Sequence, residues 1–573
     1  MRLRAPVLYF MILLLLILRT MTIAEQPSQV NVRDYGAKGD GVTDDTAAFQ
    51  TALNAVADKG GTVFVPVGNY LIKTHLVIPP KVTLEGIWKI PTAWTQNQGS
   101  TLLAVEGEGS EDGPAFITLN PNSTIKGLTI FYPNQKPDDI RKYPWCVRGA
   151  GGDNCSIIDC LLVNPYLGVD FGTNPSGRHY IRNLYGQPLR KGIFVDKCYD
   201  IGRIENVHFW PFWNWADGSP IQKWMSKNSE AFIFGRTDWE YVFNTFSFGY
   251  GIGYRFIQTR DGACNGNFLG IGADATNIAV LVEQCQSPGL LITNGEFVSI
   301  FGEKPTEVVV KRTNKGVVQF VNCSFWGPAH QIARIDGSGT VNFNTCNFRF
   351  WDKDRLGVPA IETFGGNLLV NGCNFILDRA QVTLRGSTQS AVITANRFAG
   401  PQQILNLAKA NLQIGLNVYR RPPERPKEEK SAIVVDDTDT PTSVNYVGKW
   451  YVADCAVIQG IGYFRGTRWA KKGTGESKAI FTPLVTRPGR YTVYAWFGPD
   501  PFKDHASNAP VTVRSADGIK TTRVDLRKMK GQWVKLGTFR FTTGRKGAII
   551  FSNDADGNVL ADAVKMVPVL GSR

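Results

Sequence analysis

The chain has 573 residues, 11% aromatic and 20% charged, with a formal net charge of +14. That length exceeds one ordinary compact core, so it calls for several domains or for a repeat whose units touch only their neighbours. The positive excess lies mainly after Ser431, with residues 25–419 near balance. Attraction to polyanions therefore belongs to the C-terminal part, and acidic glycans or an anionic envelope fit better than nucleic acid, for which no module is recognisable.

In chain order, Arg2 and Arg4 precede an apolar run over residues 7–18, too short to span a bilayer, and then small residues at Thr22 and Ala24. Residues 1–24 are expected to be a signal peptide, the product secreted, cell-surface or periplasmic, with no transmembrane segment. A short strand over 30–32 leads into a turn punctuated by Gly36, Gly39 and Gly41. Thr43, Asp44 and Asp45 offer N-caps to a helix carrying Ala47, Phe49, Ala52, Leu53 and Val56 at helical spacing, and Gly60-Gly61 stops it. Capping is the better reading of Asp44 and Asp45 than catalysis. A strand begins at Thr62.

The segment from Asn31 through Gln50 to Tyr70 closely resembles the N-terminus of the pectate-lyase-like superfamily, which includes rhamnogalacturonases, polygalacturonases and related epimerases. The resemblance implies an all-β fold, a right-handed parallel β-helix plugged by an N-terminal helix, and a carbohydrate substrate. It is specific for the fold and weak for the reaction.

Farther on, Phe297, Phe325, Phe348, Phe375 and Phe398 recur at intervals of 28, 23, 27 and 23 residues, a period that marks a solenoid. Asn or Gly beside each lets the chain turn. Cys323, Cys346 and Cys373 occupy equivalent places, which favours a ladder of buried thiols over bridges. Cys146, Cys155 and Cys160 could pair. Residues 125–130, 156–163 and 204–209 look like earlier coils, separated by long excursions at 88–114, 131–152 and 211–230, where binding residues are expected. The β-helix is assigned to 25–419 and a Pro- and charge-rich linker that buries nothing to 420–430. Residues 431–573 alternate as a β-sandwich with strands at 479–481, 491–497, 509–514, 533–541 and 548–552. Val435-Asp436-Asp437, Asn508 to Val511, Gln532 to Phe539, Phe551 to Asp554 and Ala561 to Val564 resemble the carbohydrate-binding-like domain of golvesins and xanthan lyases. That resemblance implies attachment to glycan or the cell surface.

Candidate chemistry centres on residues 178–241. Hydrolysis of a glycosidic bond needs two carboxyl groups across it, and Asp170, Asp196, Asp217, Glu230, Asp238 and Glu240 are the catalytic candidates. Asp170 and Asp196 follow apolar runs and would lie about one rung apart; Asp238 and Glu240 would point the same way on a strand. β-Elimination instead needs a base and a cation at the uronate carboxylate. His179, Arg182 and Lys191 are candidates for those roles, with Arg178, Arg190, Tyr180 and Tyr185 at hand for substrate. Trp213, Trp215 and Trp224 are candidate sugar platforms, while Trp210 and Trp239 are expected to be packed. Polygalacturonase motifs (Asn-Thr-Asp, Gly-His-Gly, Arg-Ile-Lys) are absent, so that family's catalytic residues have no counterparts to be carried to. No metal ligand and no cofactor is assigned; a lyase would admit calcium. Hydrolysis of a polysaccharide is the first expectation, a lyase the second, and a non-catalytic glycan binder the third.

Overall fold

The protein, seen in a computed structural model, is described over residues 28–88, 98–419, 425–452, 462–464, 467–499 and 503–569. The expected signal peptide, residues 89–97 of the first expected excursion, the start of the linker and Cys455 lie outside the described residues. The chain divides into two compact units, residues 1–352 with 357–420, and residues 421–573 with 353–356. About 51% of it is strand and 5% helix.

In the first unit every strand pairing between coils is parallel. Three stacks run through the coils. The first holds Gly61–Val65, Val82–Gly86 and Thr124–Lys126, then the leading halves of Ser156–Leu162, Tyr180–Gly186, Arg203–Phe209 and Thr237–Phe248. The trailing halves of those strands form the second stack. The third includes Ile117–Leu119, Trp145–Gly149, Leu167–Phe171, Lys191–Val195, Glu230–Phe234 and Ile252–Phe256. This is the parallel β-helix that the sequence implied.

Apolar columns explain why the coils stack in register. One inward column runs Ile125, Ile157, Ile181, Ile204, Val242, Phe268, Ile292, Phe320 and Phe343, all buried. The expected phenylalanine repeat is a second: Phe297, Phe325, Phe348, Phe375 and Phe398 pair coil to coil, with ring centroids 4.6–5.4 Å apart. Cys323, Cys346 and Cys373 are buried free thiols one coil apart, and Cys146, Cys155 and Cys160 are free too. The corner between first and second stacks is made by residues with left-handed backbone, among them Asn183, Asn206, Asn244, Asn294 and Asn322 (φ 51–55°). Their amides bond along the axis: Asn183 to Asp159, Asn206 to Asn183, Asn244 to Asn206, Asn322 to Asn294. Asparagine tolerates this conformation and links neighbouring coils at once.

The N-terminal helix is Thr46–Ala55, burying Phe49, Ala52 and Leu53 over the end of the stack. Asp44 accepts from the Thr46 N–H, but Asp45 does not cap. Its buried carboxylate accepts from the Lys38 and Gly39 N–H groups (2.6 and 3.0 Å) and ties the glycine turn to the helix start. Two expected excursions are shorter than the sequence suggested, because Ser100–Ala104 and Trp145–Gly149 are strands of the stacks. The third contains a helix, Pro220–Asn228, whose first turn is capped by Ser219 and opened by proline at its N-terminus.

The second unit contains antiparallel sheets. Ile433–Asp436, Ala563–Pro568, Gly489–Phe497 and Gln532–Phe541 form one; Val444–Val447, Lys478–Phe481, Ala548–Ser552, Ala509–Ser515 and Gly518–Val524 form another. They enclose a common core that includes Phe481, Val493, Phe497, Val511, Phe551 and Val564. The linker corrects one expectation. Glu428 accepts from Tyr463 Oη (2.8 Å), Lys565 Nζ (2.9 Å) and Trp533 Nε1 (3.2 Å), so part of this charged segment docks. No helix among the described residues is long and apolar enough to cross a membrane.

Candidate functional site

Outward positions on coils 156–248 carry the most varied chemistry of the first unit. On the first stack Tyr180 stands opposite Arg203, which stands opposite Tyr241; Arg182 stands opposite Glu205, which stands opposite Phe243. Around the asparagine corner, Tyr185, His208 and Phe246 form the next column. Period-two alternation places these residues outward while Ile181, Leu184, Ile204 and Val207 point in.

The polar column is tightly coupled. The Tyr180 hydroxyl donates to the Glu205 carboxylate, and burial with that carboxylate holds the phenol above its usual range. Arg182 and Arg203 are exposed. The aromatic column is stacked: Tyr185 and His208 lie nearly parallel with centroids 6.1 Å apart, and Phe246 meets His208 edge-on at 5.1 Å. Phe212 and Trp88 close on Tyr185 at 6.0 and 5.8 Å. These rings bury much of His208, which lowers its pKa and keeps the imidazole neutral at physiological pH. Neutral imidazole beside a phenol, with guanidinium groups around the corner, can move a proton next to a carboxylate that the cations hold.

Of the residues expected from sequence, Tyr180 and Arg182 point outward on the first stack and Tyr185 points outward just around the asparagine corner. The others are not part of this face. His179 and Glu240 are fully buried in the lumen, bonded to each other (2.9 Å). Burial would lower the His179 pKa, but the Glu240 carboxylate reverses this and raises it well above normal. Neither side chain can touch a saccharide. Asp238 and Glu240 diverge because Trp239 adopts φ 58° and the pairing slips there. Trp239 is thereby 59% exposed, contrary to expectation. Asp238 pairs with Arg236 (2.7 Å) and accepts from Gln286.

Asp170 and Asp196 are not an acid/base pair. Asp170 is buried against Arg148 (2.7 Å) and accepts from the Gly172 and Thr173 N–H groups. Asp196 accepts from the Arg236 N–H and from Thr259 Oγ1. Both carboxylates hold turns at the end of the third stack. Lys191 begins a third-stack strand opposite Glu230, and Arg190 pairs with Glu230 at 3.5 Å. Arg178 bridges Asp153 and Asp200. Asp217 is exposed ahead of the Ser219-capped helix.

The tryptophan loop folds back against the core. Buried Gln187 accepts from the Trp213 and Asn214 N–H groups and donates to the Asn214 carbonyl. Trp215 packs on Phe248 at 5.5 Å, against Gly249, where φ is +80° and a side chain would strike the indole. Trp224 lies on Tyr166 at 6.1 Å. Trp213, Trp215 and Trp224 are all half-buried on the core.

Calcium does not fit the exposed face. It takes six to eight oxygens, whereas Glu205 and Asp159 there are separate carboxylates already accepting from Tyr180 and Asn183. The site residues that sequence reasoning missed are Arg203, Glu205 and His208.

Stacked parallel coils with a decorated flank, followed by antiparallel sheets, define a β-helix protein with an appended β module. Residues 29–135 match the family described as rhamnogalacturonase A/epimerase, pectate lyase-like, and residues 433–568 match the golvesin C-terminal domain. Over these two segments the chain is thus similar to the N-terminal part of pectate-lyase-like proteins and to golvesin-type C-terminal domains. Mannuronan C5-epimerase AlgE1 of Azotobacter vinelandii is 37% identical over 107 residues, 16% of this chain and 8% of its own length. Alginate lyase 7 of the same organism is 33% identical over 126 residues, 19% of this chain and 15% of its own. The chain therefore spans less than a sixth of these relatives. The solved structure of bacteriophage phi29 gene product 12 in its pre-mature form is 16% identical, with a TM-score of 0.49 over 68% of this chain and 57% of that one.

Proposed function

We propose that the protein acts on an acidic polysaccharide as a lyase, removing the proton next to a uronate carboxylate. The observation that carries this reading is neutral His208, stacked on Tyr185 one corner away from exposed Arg182 and Arg203. The guanidinium groups neutralise the substrate carboxylate, which makes the neighbouring C–H acidic enough for a base near neutrality. His208 accepts that proton, and Tyr185 beside it, or the Tyr180–Glu205 pair around the corner, protonates the departing oxygen. Exposed Tyr241 and Phe243 extend the surface for sugar rings. Local similarity to an alginate lyase and to a mannuronan C5-epimerase supports the class, since both names describe chemistry on uronate polymers.

Hydrolysis is disfavoured because Asp170, Asp196 and Glu240 are committed to turns and to a lumen pair. The basic C-terminal module would hold the enzyme on its acidic polymer or on an anionic envelope. The test is incubation of the full chain with alginate, polygalacturonate and xanthan. Ultraviolet-absorbing unsaturated ends are expected from at least one polymer. Reducing ends without them would restore the hydrolase, and retention on the polymer with no product would leave a glycan binder. Inverted uronate without cleavage would make it an epimerase using the same proton abstraction.

A further inference from the structure

Beneath the exposed face, the lumen holds a polar cluster that surface chemistry cannot use. His179 immediately precedes the strand Tyr180–Gly186. Cys198 follows the strand Lys191–Val195 and forms a parallel bridge to Thr237. Glu240 enters from Thr237–Phe248, turned inward by the left-handed backbone at Trp239. The three side chains come from three successive coils and are all fully buried. One donor atom from each, an imidazole nitrogen, a sulfur and a carboxylate oxygen, lies within 4.8 Å of the others.

The cluster's hydrogen bonds are incomplete. His179 Nδ1 lies 3.0 Å from the Ser176 carbonyl, which can only accept, so Nδ1 carries hydrogen. Nε2 then faces Glu240 Oε1 at 2.9 Å. A bare nitrogen lone pair against a carboxylate is repulsive, so a proton or a metal cation must sit between them. A proton satisfies that one contact only. It leaves Glu240 Oε2 buried with no hydrogen-bond partner, while the Cys198 sulfur lies 3.5 Å from the Asp200 carbonyl and also faces the imidazole. Buried unpaired carboxylate oxygens are costly. Gly202 lines the same space, and a Cβ there would collide with the imidazole and with Glu240 Oε2. The chain keeps this volume free for the cluster.

We propose that His179, Cys198 and Glu240 bind one divalent cation of the borderline class, zinc foremost, and that it staples three successive coils. A thiolate donor disfavours magnesium and calcium, while imidazole with carboxylate and no second soft ligand disfavours copper(I). The Nδ1–H bond to a backbone carbonyl is the outer contact that orients metal-bound histidines. On binding, the proton of the Cys198 thiol and any proton on His179 Nε2 are released to solvent as the sulfur–metal and nitrogen–metal bonds form, so affinity rises with pH. Burial makes the cation a structural one acquired during folding.

The experiment uses the full chain. Zinc is measured by elemental analysis after purification without added metal. The protein is then unfolded in denaturant with chelator and refolded with cobalt(II). Stoichiometric zinc is expected, with thiolate-to-cobalt charge-transfer absorption after refolding. Both should be lost in Cys198→Ser and kept in Cys323→Ser, whose sulfur lies in the phenylalanine-lined coils. Metal content in the wild type no higher than in Cys198→Ser would overturn the proposal. Should Cys198→Ser fail to fold, the wild type alone decides: no zinc and no cobalt absorption leaves a protonated His–Glu pair, and the site is refuted.

Discussion

The coils from Ser156 to Phe248 and those from Glu296 to Phe398 share one backbone plan and use it in opposite ways. A single outward column runs through both: Tyr185, His208, Phe246, Gly272, Glu296, Ser324, Asn347, Asn374 and Arg397. In the early coils its members are aromatic or titratable and flanked by long loops. In the later coils they are mostly small or polar, and the lumen behind them is a continuous file of phenylalanines and thiols. Regularity secures the stack, and chemistry resides where the column departs from it.

Two substitutions test that division most strongly. His208→Gln should lower the rate of product formation by about 10²–10⁴-fold, with the melting temperature little changed. Phe348→Ala should do the reverse, costing about 3–5 kcal/mol of stability while leaving the rate of the folded protein intact, because its ring is fully buried between Phe325 and Phe375. Comparable effects of both changes on both readouts would dissolve the contrast.

The pH profile sharpens it. Burial lowers the His208 pKa, so the acid limb of activity should lie below the ordinary histidine value of about 6.5. As pH falls through that value the unfolded chain gains a proton the folded site resists. Stability should therefore decline on the acid side, and His208→Gln should remove that part of the decline. An acid limb above about 6.5 would take His208 out of the role of base.

The difference between regions also explains what was legible in the sequence. The phenylalanine interval, the thiol column and the plugging helix are periodic, and each was readable because the same physical demand recurs coil after coil. The site residues depend on single departures from periodicity. One left-handed residue, Trp239, turned Glu240 inward and defeated the period-two reading of Asp238 and Glu240. One buried amide, Gln187, folded the tryptophan loop back onto the core. Arg203, Glu205 and His208 did leave a signal, since each stands 23 residues after Tyr180, Arg182 and Tyr185, the interval of two of the later coils. Glu428 docked despite its linker composition, because three donors of the β module converge on it.

A smaller effect is expected from Glu307 in the later coils. It is fully buried, accepts from the Gly327 N–H at 2.7 Å, and burial raises its pKa well above the usual carboxylate range. The folded state therefore holds a proton that the unfolded state releases as pH rises. Stability from this group is present at acid pH and lost as pH climbs from the unfolded value toward the folded one. Glu307→Gln should raise stability near pH 7 by about 1–3 kcal/mol, with the gain vanishing below about pH 4. A gain that persists in acid would mean that the site accepts charge and that this lumen is less apolar than its neighbours.

The smallest effect tests the corner that both regions share. Asparagine or glycine occupies most of its left-handed positions, and Thr345 does so at φ 52° between Asn322 and Gly372. A β-branched side chain is poorly suited to that backbone, whereas asparagine tolerates it and can bond along the axis. Thr345 instead turns its hydroxyl to the Asn344 carbonyl, leaving the amide file that joins Asn294 to Asn322 to stop there. Thr345→Asn should relieve the strain and extend the file, stabilising the protein by about 1 kcal/mol in denaturant unfolding. Thr345→Gly relieves the strain without the amide, so it isolates the backbone part. If Thr345→Asn is no better than Thr345→Gly, the amide bonds are incidental and the corner is selected for backbone conformation alone. The file along Asn183, Asn206 and Asn244 beneath the candidate site would then owe its asparagines to that conformation too.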